Sequence, residues 1–310
     1  MSVKVVIPGP LTTVQDAGRY GYMNSGIGTS GVMDEVSYKK ANYLVENENG
    51  EAVLEVTLFG GTMEFTEDAV IAVTGATMDV KINEEPTEMY RAYQVKAGDI
   101  LSLGMVTAGC RTYVAFAGGI DVPVVLGSRS TNLKCKMGGY EGRALAAGDI
   151  FEIGKNGRSY EALKDRMAKP DVYTSPITVR VIEGPQEEYF TEAGKKTFYN
   201  ETYTISDQSD RMGYRMEGAP IESVNGTDII SDGIALGSIQ VPTNGKPIIL
   251  LADRQTTGGY AKIATVCSFD IPKLVQGKPG DQVRFQKISL DEAAKIWKRW
   301  RQYSRRRGSH

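Results

Sequence analysis

The stretch DRMGYRM, residues 210–216, repeats a phrase already met as GRYGYM at residues 18–23, and the two share Arg-x-Gly-Tyr. The repetition continues. VLEVTLFGG (53–61) is matched by GSIQVPTNG (237–245) and KAGDILSL (96–103) by KPGDQVRF (278–285), in the same order and about 182 to 192 residues apart, as an internal duplication requires. A third Gly-Asp turn, AGDIFEI (147–153), closes the first half. Gly-Asp before a strand is a common turn, so one match carries little weight; three in order carry much more. Between them lie many short apolar runs bounded by turn residues, in a chain with 35 glycines. The reading is a mainly β protein of two tandem, pseudo-duplicated barrel-like domains with a few helices. The first half is expected over 1–154 and the second over 177–288, joined by a polar linker at 155–176 that ends in Pro170 and Pro176. Two related barrels are expected to leave a groove, a preferred kind of ligand site.

Strands are predicted at, among others, 63–65, 70–74, 78–82, 100–103, 112–117 and 261–265. Three helices are predicted. Asp34 caps one over 34–45, a second covers 186–196, and the clearest lies at the C-terminus, 289–304. In the last, Ser289 and Glu292 form a capping box ahead of a stripe of Ala293, Ile296, Trp297 and Trp300, suited to docking on the body.

Composition removes several classes of function. The net charge of −2 offers no field for nucleic acid or an acidic membrane. No apolar run approaches the ~18 residues of a membrane span, and the start, MSVKVVIPGP, breaks at Pro8 and does not read as a secretory signal. Cys110, Cys135 and Cys267 have neither metal nor disulfide spacing and suit free thiols in a reducing cytoplasm. The one histidine, His310, ends RRRGSH, and 305–310 is read as a tag remnant. The body then has no imidazole, which removes Ser-His-Asp and Cys-His catalysis and His-ligated zinc; no metal is expected. Acid–base work falls to Asp, Glu, Lys, Tyr or water. No phosphate-binding P-loop is present, and KCKMGG (134–139) lacks the Met-Lys-Met of a biotin attachment site, so biotin would be a visitor and no cofactor is covalently bound.

The richest stretch chemically is LLADRQTTGGYAKIATV (250–266), where eight mostly polar residues separate two apolar runs. Arg254 suits bidentate binding of a carboxylate. Asp253 suits holding Arg254 or accepting an amide N–H, and Tyr260 suits donating or stacking; these three are the catalytic candidates. Gln255, Thr256 and Thr257 suit hydrogen bonds to a carbonyl, while Gly258 and Gly259 permit close backbone approach. The alternative is a rigid hairpin with a structural Asp253–Arg254 pair. GSRSTN (127–132) sets Arg129 and Ser130 at a turn able to grip an anionic oxygen, or simply to cap itself. Arg143 in GGYEGR (138–143) is a further binding candidate, as are Asp210 and Arg211, which equally suit a salt-bridge network. Gln15, Asp16 and Arg19 in VQDAGRYGY favour a structural role.

Six stretches together, TVQDAGRYGYMNSGIGTSGVMDEVSYKKAN (13–42), AGGIDVPVVLGSRSTN (117–132), GGYEGRALAAGD (138–149), SDQSDRMGYRMEGAPI (206–221), GSIQVPTNGKPIILLADRQTTGGYAKIATV (237–266) and KPGDQVRF, resemble the biotin-dependent carboxyltransferase family. That family includes the C-type component of 5-oxoprolinase, or KipA, and carries the second-component name of allophanate hydrolase; it is related to the carboxyltransferase domain of urea carboxylase. The resemblance implies cyclophilin-like barrels. It also implies partners, the A and B subunits of 5-oxoprolinase, of which the second is the KipI-type protein. With this chain they would cleave 5-oxoproline, a small lactam, to glutamate using ATP bound by the partner subunits. Two other implications stay open: antagonism of a KipI-type kinase inhibitor, and carboxyl transfer from carboxybiotin to urea or an amide.

Overall fold

The computed structural model describes residues 1–48, 50–155, 157 and 159–306, with side chains in the final helix to Gln302. The tag-like ending lies, from residue 307 on, outside the described residues. The chain forms two compact units. Met1–Arg19 and Ser30–Val172 build the first; Tyr20–Thr29 and Tyr173–Arg306 build the second.

The first unit is a ten-stranded antiparallel sheet. Its spine is one long strand, Ile100–Phe116, paired along one side with Val53–Thr57 and Phe59–Phe65 and along the other with Ala69–Ile82. The two long strands, Ile100–Phe116 and Ala69–Ile82, each read in the sequence as two short ones. Gly75 and Gly104 look like breaks, yet register shifts between Gly75 and Val80 let the ladder continue. Over residues 69–76 both faces of this strand are covered, which explains the unbroken apolar run AVIAV. Ile71 and Val73 join Val5, Leu54, Phe65, Leu103 and Phe116 inside the sheet. Val70 and Ala72 face the helix Glu35–Leu44, whose Tyr38, Ala41 and Leu44 pack there. Each large apolar side chain buried this way stabilises by about 1.5–3 kcal/mol. The helix starts where Asp34 Oδ1 accepts the N–H groups of Val36 and Ser37, both at 3.0 Å.

The second unit is a closed barrel of seven strands, in ring order Ile177–Glu183, Lys262–Val266, Ser238–Gln240, Ile248–Leu250, Gly213–Glu217, Tyr203–Ile205 and Gln282–Lys287. An odd ring cannot be antiparallel throughout, and here Ile177–Glu183 runs parallel to Gln282–Lys287. Val179, Tyr203, Ile239, Ile249, Ile263 and Phe285 are buried in it. The helix expected at 186–196 is instead a 3-10 turn, Glu187–Tyr189, then a helix Glu192–Asn200. The cause is Thr191, whose hydroxyl accepts the Gly194 N–H at 3.0 Å and restarts the helix after the buried, extended Phe190. The last helix, Leu290–Arg306, is capped as predicted: Ser289 N–H donates to Glu292 Oε2 (3.1 Å) and Glu292 N–H to Ser289 Oγ (3.2 Å). Ala293, Ile296 and Trp300 pack on Cys267, Phe269, Ile182 and Ile288.

Several strands have no counterpart among those predicted, including Thr12–Gln15, Ala92–Val95 and Gly213–Glu217, as well as both strands of one further element. Asp228–Gly233 and Thr257–Tyr260 form a separate two-stranded ribbon. The loop after Leu250 is therefore short, and its second half is strand.

Candidate functional site

The turn after the strand Ile248–Leu250 fixes two neighbouring side chains in different ways. Asp253 does not hold Arg254. It accepts from Arg211, Nε to Oδ2 at 2.9 Å and Nη2 to Oδ1 at 3.3 Å, and both side chains are buried. The backbone repeats the clamp, with Asp253 N–H donating to Arg211 C=O at 2.9 Å. Arg211, from the repeated phrase, thus ties the strand beginning at Gly213 to the end of the strand beside it. Asp210 accepts from Met212 N–H and Gly213 N–H at 2.8 and 3.1 Å, closing the turn that presents Arg211.

Arg254 has a different environment. It is only 7 % exposed. Its Nε donates to Ile234 C=O at 3.2 Å, and its Nη1 to Leu251 C=O at 3.2 Å and Thr29 Oγ1 at 3.4 Å. Its Nη2 points at the Met23 thioether, 4.0 Å away. Among the described residues no carboxylate pairs with it. Burial pushes the guanidinium below its usual pKa, opposed only by the Tyr20 phenol. A buried cation without a counter-ion is costly, so natural structures rarely keep one unless an anion arrives.

The ribbon lies beside this group. Ile234, which follows it, supplies the carbonyl to Arg254, and Ile234 N–H donates to Thr256 C=O at 3.0 Å. Gly258 and Gly259 are extended strand residues, not a turn. A Cβ at Gly258 would lie 2.7 Å from Gln240 Nε2 and 2.8 Å from Ile234 Cδ1, so any side chain there would push the ends of both these side chains aside. Gln240 is buried, and its Nε2 donates to Tyr260 C=O at 3.2 Å. Beside Gln240 in the strand register, Lys262 is buried and donates to Asp232 Oδ2 at 2.9 Å, which holds the Asp232 carboxyl below its ordinary range. Gln255, Thr257 and the Tyr260 side chain face solvent, and Thr256 is half-buried.

In the first unit the GSRSTN turn does grip an anion, but the anion belongs to the protein. Asp16 Oδ1 accepts from Gly18 N–H (2.8 Å), Ser128 Oγ (2.7 Å) and Ser130 Oγ (2.5 Å), while its Oδ2 accepts from Arg129 N–H (2.5 Å). The Arg129 side chain turns away to Val122 C=O (3.1 Å) and Asp121 (3.7 Å). Arg19, the first-half counterpart of Arg211, is fully buried and donates to Val125 C=O at 2.9 Å and Ser130 C=O at 3.0 Å. Both copies of Arg-x-Gly-Tyr therefore brace a turn, one through carbonyls and one through a carboxylate. Ser130→Ala removes two hydrogen bonds, the one Oγ donates to the buried Asp16 carboxylate and the one it accepts from Asp16 N–H at 3.0 Å, and is expected to cost about 1.5–3 kcal/mol in urea unfolding, with ligand affinity unchanged.

Arg143 is likewise engaged within its own loop. Its two Nη groups grip Asp149 at 2.6 and 2.9 Å, and Nη2 also reaches Glu141 at 2.9 Å. The Arg143 hydrogen bonds hold the Asp149 carboxyl below its usual range. A carboxylate depressed on folding contributes stability above its unfolded pKa of about 3.9, and that contribution is lost as pH falls through the lower folded value. Asp149→Asn should therefore lower the melting temperature at pH 7 and reduce its fall as the pH drops below about 4, as read by calorimetry across that range.

The sequence reading missed Gln240, Lys262, Asp232, Met23 and Thr29. The first two carried a signal, since each is a long polar side chain beside the apolar residues of SIQV and KIATV. Met23 and Thr29 carried none, because they reach Arg254 across 231 and 225 residues. Among the described residues no cluster of His, Cys, Asp and Glu stands ready for a metal, and no helix is long and apolar enough to cross a membrane.

Residues 25–287 match the family described as carboxyltransferase domain, subdomain A and B. The chain is 39% identical over 293 residues to the C subunit of 5-oxoprolinase from Escherichia coli, covering 94% of this chain and 93% of that protein. It is 38% identical over 288 residues to the protein of the same name in Haemophilus influenzae, covering 92% and 90%. Urea amidolyase of Lachancea kluyveri is 32% identical across 94% of this chain, which spans 17% of that longer protein. The crystal structure of Kluyveromyces lactis urea carboxylase superimposes with a TM-score of 0.90 at 31% identity, over 99% of this chain and 29% of that one. With its duplicated arginine-braced turns and two β units, the chain belongs to the carboxyltransferase-domain family, spanning subdomains A and B.

Proposed function

We propose that this chain is the C subunit of an ATP-dependent 5-oxoprolinase, acting in a complex with the A and B subunits on 5-oxo-L-proline, and that Arg254 binds the substrate carboxylate. The observation that carries the reading is the buried Arg254 guanidinium with no carboxylate of its own among the described residues. 5-Oxoproline brings a carboxylate on a ring small enough to be held by one group, and the near full-length likeness to two 5-oxoprolinase C subunits supports that choice. Opening the lactam adds water across its C–N bond. In this account ATP is consumed on the partner subunits, and this chain contributes binding and orientation. Asp253 positions the site by fixing Arg211 and does not touch the substrate. The test is 5-oxoproline-dependent ATP hydrolysis by the A and B subunits with and without this chain. Loss on omission is expected; undiminished turnover would exclude the role.

A second reading rests on the likeness to urea carboxylase. Arg254 would then hold a carboxyl oxygen of visiting carboxybiotin. It requires saturable biotin binding, and a flat calorimetric titration with biotin rejects it.

A further inference from the structure

A guanidinium carries five N–H donors. In Arg254 the Nε and Nη1 donors meet oxygens, whereas among the described residues Nη2 meets only the Met23 sulfur, a weak acceptor at 4.0 Å. Both outer contacts, Met23 and Thr29, come from the segment Tyr20–Thr29, which the chain contributes to the second unit before returning to the first at Ser30. We propose that Met23 is a displaceable plug in the carboxylate seat at Arg254 Nη2, and that the Thr29 hydroxyl donates to the carboxylate that replaces it. The inference rests on the reading of Arg254 as the anion-binding group.

Three features fit a plug. Thr29 Oγ1 accepts from Arg254, and its own proton has no acceptor among the described residues, so it adds a donor to a site already rich in donors. Only an acceptor-bearing group satisfies all of them together, and a small carboxylate presents two acceptor oxygens. Met23 is half-buried and unbranched, so it can leave by rotation about its own bonds. The turn carrying it is held by its own hydrogen bonds, Ser25 N–H to Tyr22 C=O (3.0 Å), Gly26 N–H to Met23 C=O (3.0 Å) and Ile27 N–H to Tyr22 C=O (3.2 Å). Its flanks are open: a Cβ added at Gly21 or Gly26 would meet nothing within 4 Å. Met23 can therefore move without breaking a barrel hydrogen bond. The plug also shields an uncompensated charge from water until a ligand neutralises it.

The experiment follows the ε-methyl resonance of Met23 in the full chain labelled with 13C-methyl methionine, assigned by Met23→Leu. Acetate and 5-oxoproline are titrated separately, with calorimetry in parallel. The expected result is that both ligands shift the Met23 methyl and that Arg254→Lys removes both responses. Met23→Ala should bind acetate about tenfold more tightly, as when the open form is about a tenth of the population. Thr29→Val should weaken binding. A Met23 shift with acetate but no binding of 5-oxoproline keeps the plug and rejects the 5-oxoproline assignment. Calorimetric binding of either ligand with an unmoved Met23 methyl overturns the plug alone. Absence of any carboxylate binding overturns both.

Discussion

Arg254→Met is expected to lower 5-oxoproline-dependent ATP hydrolysis by the reconstituted complex by about two to three orders of magnitude while leaving the fold in place. The magnitude follows from removing one partner of a desolvated charge pair, which costs about 2–5 kcal/mol of binding or transition-state energy. The stability side is a near balance. The substitution gives up hydrogen bonds to the Ile234 and Leu251 carbonyls, but it also removes a buried cation that no described carboxylate neutralises. Replacing buried charge by an apolar side chain of similar size is often neutral or stabilising, so unfolding free energies in urea should differ by no more than about 1 kcal/mol. Arg254→Lys keeps the charge and loses the planar fork, so most of the activity loss should persist. A guanidinium that was only structural would behave otherwise, with activity and stability falling together.

The Arg211–Asp253 pair should give the opposite pattern. Arg211→Met or Asp253→Leu alone leaves one buried charge without its partner and is expected to destabilise by about 3–5 kcal/mol. The double substitution removes both charges and should recover most of that loss, because two apolar side chains suit a site where both groups are at most 7% exposed. Urea unfolding of the four proteins, run as a double-mutant cycle, measures the coupling. Additive losses would mean that the two groups act on separate partners. A folded, stable Asp253→Leu protein lacking activity would return Asp253 to a direct role on substrate.

Sequence periodicity showed the β class and the tandem halves because duplication leaves ordered matches and barrels leave many short apolar runs. It failed where a strand passes through glycines. Gly75 and Gly104 looked like ends, and the bulges that carry the ladder past Gly75 depend on partners far along the chain. It failed also at the ribbon, since Thr257–Tyr260 has no apolar alternation and its pairing with Asp228–Gly233 is tertiary. For the site, residue type marked Arg254, Arg129, Arg143 and Arg211 alike as anion grips. What separates them is the presence or absence of an internal carboxylate. Asp149 and Asp253 satisfy Arg143 and Arg211, and Asp16 fills the Arg129–Ser130 turn. Those partners stand 6, 42 and 113 residues away along the chain, too variable a spacing to be read without a fold.

The most direct measurement is a crystal structure of the chain soaked with 5-oxoproline. A carboxylate oxygen at about 2.7–2.9 Å from Arg254 Nη2, the usual length of a charge-assisted bond, with the Met23 side chain turned outward, is the predicted result. Ligand bound elsewhere, with the guanidinium still under Met23, would contradict the account.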